Sequence, residues 1–382
     1  MTHDPSGSGD PDHTGGSADS RTTTPTRARG VAYALLSAVL FGGSTPFVRP
    51  VLERVDPVAS AGYLYLGQAL VLSLWWIAAR AAGSRREARL GRGDLAPLVG
   101  GIVAGGLIAP GAFTAGLSLL PAHRASLLLG LEIVFTLMIA ILFRGERLAP
   151  RGWAGALLLL LAGVAVSWPA AASGTGVMPP LPIAGTLLVV LACLGWATDS
   201  NVTASISSKD PTEISLLKGW AAAFAYLAGC ALVGRPLGAT ASDALSLLVA
   251  GAVGYGIALR FFVLALRHLG AALTTTLFST APIAGFALSV ILLGERPAAT
   301  GWAAFALAGL GVAIAASGRH EHEHAHGAET HEHPHVHDEH HDHAHAQGFS
   351  VDEGHTHVHD HGRLVHTHPH EADVHHTHGH GH

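Results

Sequence analysis

The chain reads as an all-α integral membrane protein of ten transmembrane helices, arranged as two inverted five-helix repeats. Three observations carry this. The 382 residues are 49% hydrophobic and only 13% charged, where a soluble domain carries about 25% charged residues. Apolar runs such as "GALLLLLAGVAV" and "FALSVILLG" recur along most of the chain, in stretches close to the ~20 residues that cross a bilayer as a helix. A series of matching residues recurs at an offset of 149 positions. A disordered arm and a histidine-rich tail flank the apolar region.

Residues 1–28 are rich in Gly, Ser, Thr, Pro and Asp. They lack the apolar content of a folded segment and are too polar and too long for the n-region of a signal peptide, so a disordered arm is expected. Ten spans follow, at 30–52, 57–80, 95–119, 121–143, 150–171, 182–204, 211–233, 245–267, 270–292 and 299–318. The connections carry turn chemistry, as at Asp56-Pro57, Pro179-Pro180 and Asp210-Pro211. Pro121 marks the boundary between the third and fourth spans. In domain terms, the first repeat covers 29–171, a linker 172–181, the second repeat 182–318 and the tail 319–382.

Orientation follows from Lys and Arg, which concentrate on the cytoplasmic side. With the N-terminus inside, 14 loop and terminal cations fall on the cytoplasmic side and Arg54, Arg124, Arg235 and Arg296 on the other. Ten spans return the C-terminus to the same side, so both termini are expected in the cytoplasm of a multi-pass protein of the cell membrane. Cys193 and Cys230 both lie in apolar runs and read as reduced core residues.

The repeat pairs "GERLAPRGWAGALLLLLAGVAV" from Gly145 with "GERPAATGWAAFALAGLGVAI" from Gly294. "LSLLPAHRASLL" and "LRHLGAALTTTL" keep the same offset, and "ALLSAVLFGGSTPF" corresponds more loosely to "VVLACLGWATDSNV". Five spans per half is an odd number, so the halves enter from opposite faces, as in many alternating-access transporters. The two "GER…GW" segments, the "FSTAPIAGFALSVILLGE" run and the five-plus-five layout resemble the drug/metabolite transporter superfamily in its EamA-type branch. The resemblance covers about residues 30–318. It implies ten helices around a central cavity and export or exchange of a small solute. Substrates across that family include amino acids, sugars, nucleotide derivatives and drugs. The tail is not part of its pattern.

Ionisable groups inside spans are costly and point to the bundle interior. Glu132, with Thr136 one turn on, forms a polar stripe in the fourth span and reads as a proton- or cation-coupling carboxylate, or as a structural carboxyl paired with an Arg. Asp199 lies towards the cytoplasmic end of the sixth span, with Asn201 and Thr203 nearby and Trp196 a turn before. It reads as a substrate or ion contact, or as a hydrated helix-end carboxylate. Lys218 and Arg260 sit about 6 Å towards the cytoplasm from their span centres at ~1.5 Å per residue. Either they pair with Glu132 and Asp199 and hold an anionic group of the substrate, or they snorkel; Arg suits buried pairing better. Arg49 is expected to snorkel, His123 to be interfacial, and the two "GER" glutamates to cap or bridge short loops. Gly101, Gly105, Gly251, Gly254 and Gly256 allow close helix approach. Pro46, Pro110 and Pro282 are expected to kink spans or free carbonyls.

The tail holds 24 His in 63 residues, mostly as His-x-His. Neutral imidazole with interspersed carboxylates binds Zn, Ni, Cu and Co. The candidate ligands are His320, His322, His324, His326, His331, His333, His335, His337, His340, His341, His343, His345, His355, His357, His359 and His361. Without metal the tail is expected to be disordered, and protonation of imidazole would make it pH-responsive. No cofactor is required, and no spacing of the nucleophile–base or HExxH kind suggests an enzyme. The expected partners are the lipid bilayer, a small-molecule substrate and divalent metal ions, without nucleic acid; a homodimer is an open possibility. The expected function is secondary transport of a small metabolite, coupled through Glu132 or Asp199, with a metal-binding tail. The alternative is transport of a divalent metal or metal-chelator complex, with the tail as loading station; two carboxylates facing two cations disfavour a bare cation.

Overall fold

The computed structural model describes residues 24–83, 90–144, 150–168, 180–206, 209–238, 240–316, 320–326, 329–335, 355–361 and 364–370. Thirteen α-helices are described: α1 (Thr24–Val48), α2 (Pro57–Ala81), α3 (Leu95–Gly101), α4 (Ala109–Leu119), α5 (Ala122–Leu128), α6 (Leu131–Arg144), α7 (Pro150–Ser167), α8 (Pro180–Ala204), α9 (Pro211–Leu232), α10 (Ala241–Gly251), α11 (Ala258–Phe278), α12 (Ala281–Leu293) and α13 (Ala299–Ala316). Two π-helical segments, Ile102–Ile108 and Ala252–Ile257, join α3 to α4 and α10 to α11. Among the described residues, nine helical stretches are long and apolar enough to span a membrane, and Ala299–Ala315 is a shorter apolar helix.

Local chemistry starts the helices where the sequence reading places turns. Asp56 accepts hydrogen bonds from the backbone N–H of Val58 and Ala59 at 2.9 and 3.2 Å. Asp210 does the same for Thr212 and Glu213 at 2.8 and 3.3 Å. In both, Pro fills the first helical position, where its missing N–H costs nothing. Large apolar side chains cover the outside of the bundle: Phe143, Phe224 and Leu232 are exposed. A face of that kind belongs against lipid. The interior is close-packed around Leu64, Leu117, Leu128, Val189 and Phe286.

The two halves interdigitate. α1 packs on α11 and α12, α2 on α9, α4 on α8, and α7 on α13. At the α7–α13 crossing, a Cβ on Gly155 would lie 2.9 Å from the Gly311 carbonyl oxygen, so the backbones themselves are in contact. Polar links gather the short connections at one end of the bundle. Arg49 Nε donates to the Leu120 carbonyl (2.9 Å) and Arg54 Nη2 pairs with Asp243 (2.7 Å). Arg235 reaches Asp56 (3.5 Å), and Glu295 meets His123 (2.6 Å). At another connection, Lys209 Nζ lies 3.5 Å from Asp94.

Several expectations need correction. α1 begins at Thr24, inside the arm read as disordered to residue 28; residues 1–23 lie outside the described ones. The boundary expected between 267 and 270 is not a break, because α11 runs through it from Ala258 to Phe278. The repeat supplies the reason: the position matching Pro121, which separates α4 from α5, is Gly270, which lets a helix continue. The next break, at Ser279-Thr280, falls one position beyond the counterpart of Leu129-Gly130 in the first repeat. Pro282 sits in the first turn of α12 and not mid-helix, whereas Pro110 stands inside the continuous span Arg92–Leu119, directly after its π turns. Arg49 is held by Leu120 and Glu53 and does not snorkel freely.

In the tail, four short strands are described. β1 (His320–His326) pairs antiparallel with β4 (Leu364–His370), and β2 (Glu329–His335) with β3 (His355–His361). The His-x-His alternation has the period of two that suits an extended chain. The register sets His322 opposite His368 and His333 opposite His357. His337, His340, His341, His343 and His345 lie outside the described residues.

Candidate functional site

The site is assembled where α8 and α9 face the third span. Near the C-terminal end of α8, Asp199 and Thr203 stand one turn apart, and Thr203 Oγ1 donates to Asp199 Oδ1 at 2.8 Å. Lys218, two turns into α9, closes the cluster. Its Nζ donates to Asp199 Oδ1 and, at 2.6 Å, to Thr203 Oγ1. The Lys218 and Asp199 side chains keep 12% and 18% exposure, so the pair is largely withdrawn from solvent. The glycines of the third span make room for it. A Cβ on Gly101 would lie 2.6 Å from Asp199 Oδ1, and one on Gly105 would overlap the carboxylate outright. A larger residue at either position would displace the carboxylate.

Desolvating two charges costs several kcal/mol per ion, recovered only with good geometry and additional hydrogen bonds. Here Thr203 supplies the additional bonds. Such a pair is chemically a switch. The geometry would let an anionic group compete for Lys218 and a cation compete for Asp199.

The other candidates occupy the surroundings. Asn201 Nδ2 donates to the carbonyls of Thr136 (3.2 Å) and Ala197 (2.9 Å), tying α8 to α6. Thr136 Oγ1 bonds back to the Glu132 carbonyl at 2.8 Å, so it serves the helix rather than the Glu132 carboxylate. Glu132 lies in the first turn of α6, within electrostatic reach of Asp199. Arg260 stacks over the Trp75 ring at 4.5 Å. Of the four charges read as one set, Asp199 and Lys218 form the ion pair, and Arg260 packs against Trp75. Lys218 thus pairs with Asp199 rather than snorkelling.

Sequence reasoning missed Tyr65 and Tyr226. Tyr65 Oη donates to the Gly105 carbonyl at 3.0 Å, holding the same glycine turn from the α2 side. Lone tyrosines in apolar runs carry no periodic signal. The legible clue was their target, the "GGIVAGGLIAPG" stretch, whose proline and glycines leave carbonyls in need of donors. The glycines of the second repeat serve packing: a Cβ on Gly251 would overlap the Leu64 carbonyl, and one on Gly254 would lie 2.6 Å from Ser44 Cβ.

At the opposite end from this pair along α5–α6, Glu295 performs the capping expected of a "GER" glutamate. It accepts from the N–H groups of Ala122 and His123, both at 2.8 Å, and meets His123 Nδ1 at 2.6 Å. Burial pushes the Glu295 carboxyl up, but these hydrogen bonds outweigh it and hold the pKa below the ordinary value. His123 is buried against Glu295 at the start of α5. Glu146, the counterpart of Glu295, lies outside the described residues.

Comparison with known proteins settles the family. Residues 28–168 and 183–317 each match the EamA-like transporter family. The chain belongs to that family. The two matched segments coincide with the two sequence repeats. An "Uncharacterized transporter" of Methanothermobacter thermautotrophicus is 25% identical over 282 residues, covering 70% of this chain and 80% of its own. A solved crystal structure shares the fold, with TM-score 0.56 and 22% identity over 74% of this chain and 95% of that one. The EamA chain described here is therefore a multi-pass membrane transporter of small solutes.

Proposed function

We propose that the protein is a secondary transporter that exports or exchanges a small metabolite across the cytoplasmic membrane, with the Asp199–Lys218 pair as its substrate- and coupling-sensitive centre. The observation that carries this reading is the pair itself: opposite charges withdrawn from solvent, seated on glycines of a span whose helix is opened into π turns. The solute class is one with an anionic group, received by Lys218. Glu132 and Asp199 are the proton-coupling carboxylates. Lys218 also opposes passage of a bare divalent cation, which favours a metabolite over a metal ion as cargo.

The architecture proposed is ten spans in two inverted halves, with both termini in the cytoplasm. The gathering of connections 1/2, 3/4, 7/8 and 9/10 at one end supports it, as does the excess of Lys and Arg assigned to the other. The tail is the metal-binding appendage. Backbone positions directly opposite in an antiparallel ladder place Cβ atoms about 4.5–5.5 Å apart, a separation across which two imidazoles can share one ion. His322 with His368 and His333 with His357 are such positions. Bound Zn, Ni, Co or Cu would cross-link the strands there.

The test is flux in proteoliposomes under an imposed pH gradient, with a panel of labelled amino acids, sugars and nucleotide derivatives. Transport of at least one anionic solute, lost in Asp199→Asn and uncoupled from the gradient in Glu132→Gln, is expected. Full pH-driven flux in both variants overturns the reading.

A further inference from the structure

The third span contains an opening in its own hydrogen-bond ladder, and a side chain from another span fills it. Gly111 N–H, which an α-helix would give to the Leu107 carbonyl four residues back, donates to Tyr226 Oη at 2.8 Å. The same hydroxyl donates to the Leu107 carbonyl in a short hydrogen bond. Tyr226 therefore bridges, through one oxygen, the two groups that an α-helical bond would join. Side chains inserted into a ladder in this way are a recognised cause of helix distortion, and π turns mark functional sites often.

The opening is coupled to the ion pair through α9. Lys218, Ala222 and Tyr226 follow one another at four-residue steps. They face Gly101, Gly106 and Gly111 of the third span, which follow at five-residue steps. A face that repeats every four residues matches one that repeats every five only because Ile102–Ile108 runs in π turns. Reclosing the span as a continuous α-helix would rotate and lengthen it, and would carry Gly101 off the pair. Pro110 adds to the opening, since its nitrogen has no hydrogen to give to the Gly106 carbonyl.

We infer that Tyr226 is a positioning residue of the transport cycle, whose hydroxyl occupies the gap between the Leu107 carbonyl and Gly111 N–H and holds the third span in its opened form. When the hydroxyl leaves, the span recloses and withdraws its glycines from Asp199 and Lys218. The link to turnover rests on the proposed role of that pair; the conformational claim does not, and its test needs no substrate.

The experiment is a nitroxide distance measurement along the third span. Labels go at Ala96→Cys and Ser118→Cys in protein held in lipid nanodiscs, where native Cys193 and Cys230 are buried. Tyr226→Phe should lengthen the main distance by about 2 Å, because residues in α turns advance ~1.5 Å each and residues in π turns less. Gly111→Ala should give the same shift by a different route, since its methyl would sit 2.9 Å from Tyr226 Oη and expel it. The double variant should shift no further. Tyr63→Phe, which removes a hydroxyl bonded to the Leu237 carbonyl, should leave the distance unchanged. Hydrogen exchange over residues 105–112 provides the second readout: amide protection retained in Tyr226→Phe means that the ladder has reclosed. An unchanged distance in both variants overturns the inference. So does an unchanged distance in Tyr226→Phe alone, or rapid exchange there, which would make the hydroxyl only a plug in a permanently open helix.

Discussion

At the level of single residues, the bundle spends charge in two places with opposite consequences. Asp199 and Lys218 neutralise each other inside it, with Thr203 bonded to both. Removing one partner leaves a charge without compensation in a poorly solvated place. Lys218→Met should therefore destabilise the protein by about 3–5 kcal/mol, and adding Asp199→Asn should restore much of the loss. Thermal unfolding of the single and double variants in nanodiscs checks this; additive losses would show that the two residues do not act as a pair. Glu295 works differently, as a helix cap. Glu295→Gln keeps the shape but loses the charge-assisted bonds to Ala122 and His123, and should cost about 1–2 kcal/mol. The pH dependence has a definite sign. The folded pKa of Glu295 lies below its ordinary 4.5, so its contribution is complete above that value. It is lost as pH falls through the folded pKa. The difference in melting temperature between wild type and Glu295→Gln should shrink below pH 4.5.

Among the elements, the third span decides what the site can be. Its glycines admit the Asp199 carboxylate, and its π turns set their spacing against α9. Gly105→Ala adds a methyl where the carboxylate lies. It should separate Asp199 from Lys218 and reduce substrate flux at least tenfold, while Gly254→Ala, which meets a serine side chain in the other repeat, should lower stability more than it alters substrate selectivity. Flux and melting measured on the same preparations distinguish the two effects. The matching π segment Ala252–Ile257 shows that this device occurs once in each repeat. In the first repeat the glycines of the π segment receive the Asp199–Lys218 pair; in the second, Gly251, Gly254 and Gly256 meet Leu64, Ser44 and Val71.

For the whole molecule, the proposed orientation rests on the distribution of charge among the connections, and the proposed metal binding on the histidines of the tail. A reporter fused after Arg319 should be cytoplasmic, because that orientation puts 14 loop and terminal cations inside; an external signal would reverse the assignment. A protein ending at Arg319 should still insert and transport, since the tail lies beyond α13. It should lose uptake of several Zn or Ni ions per chain, measured by calorimetry against the full-length protein. Metal uptake by the full chain should fall as pH drops through ~6, because protonated imidazole cannot ligate. Loss of all transport on truncation, at every metal level, would move the tail into the transport path.

The sequence by itself determined the membrane class, the family and most helix starts. These depend on run length, on composition, and on Asp-Pro and Glu caps that act over three or four residues. Candidate charges were also legible, because a charged residue within an apolar run stands out against its background. Pairing was not legible. Arg260 and Lys218 look alike in one dimension, and only the packing of α9 on the third span gives Asp199 to Lys218 and sets Arg260 over Trp75. Nor could the sequence place the break at Ser279-Thr280 and a continuous α11 across Gly270, since local propensities there are nearly balanced. The tyrosine hydroxyl between Leu107 and Gly111 depends on residues more than a hundred positions apart. Only the tertiary structure brings such donors and acceptors within 3 Å of each other, because hydrogen bonding is decided by distance and direction, which chain order does not encode.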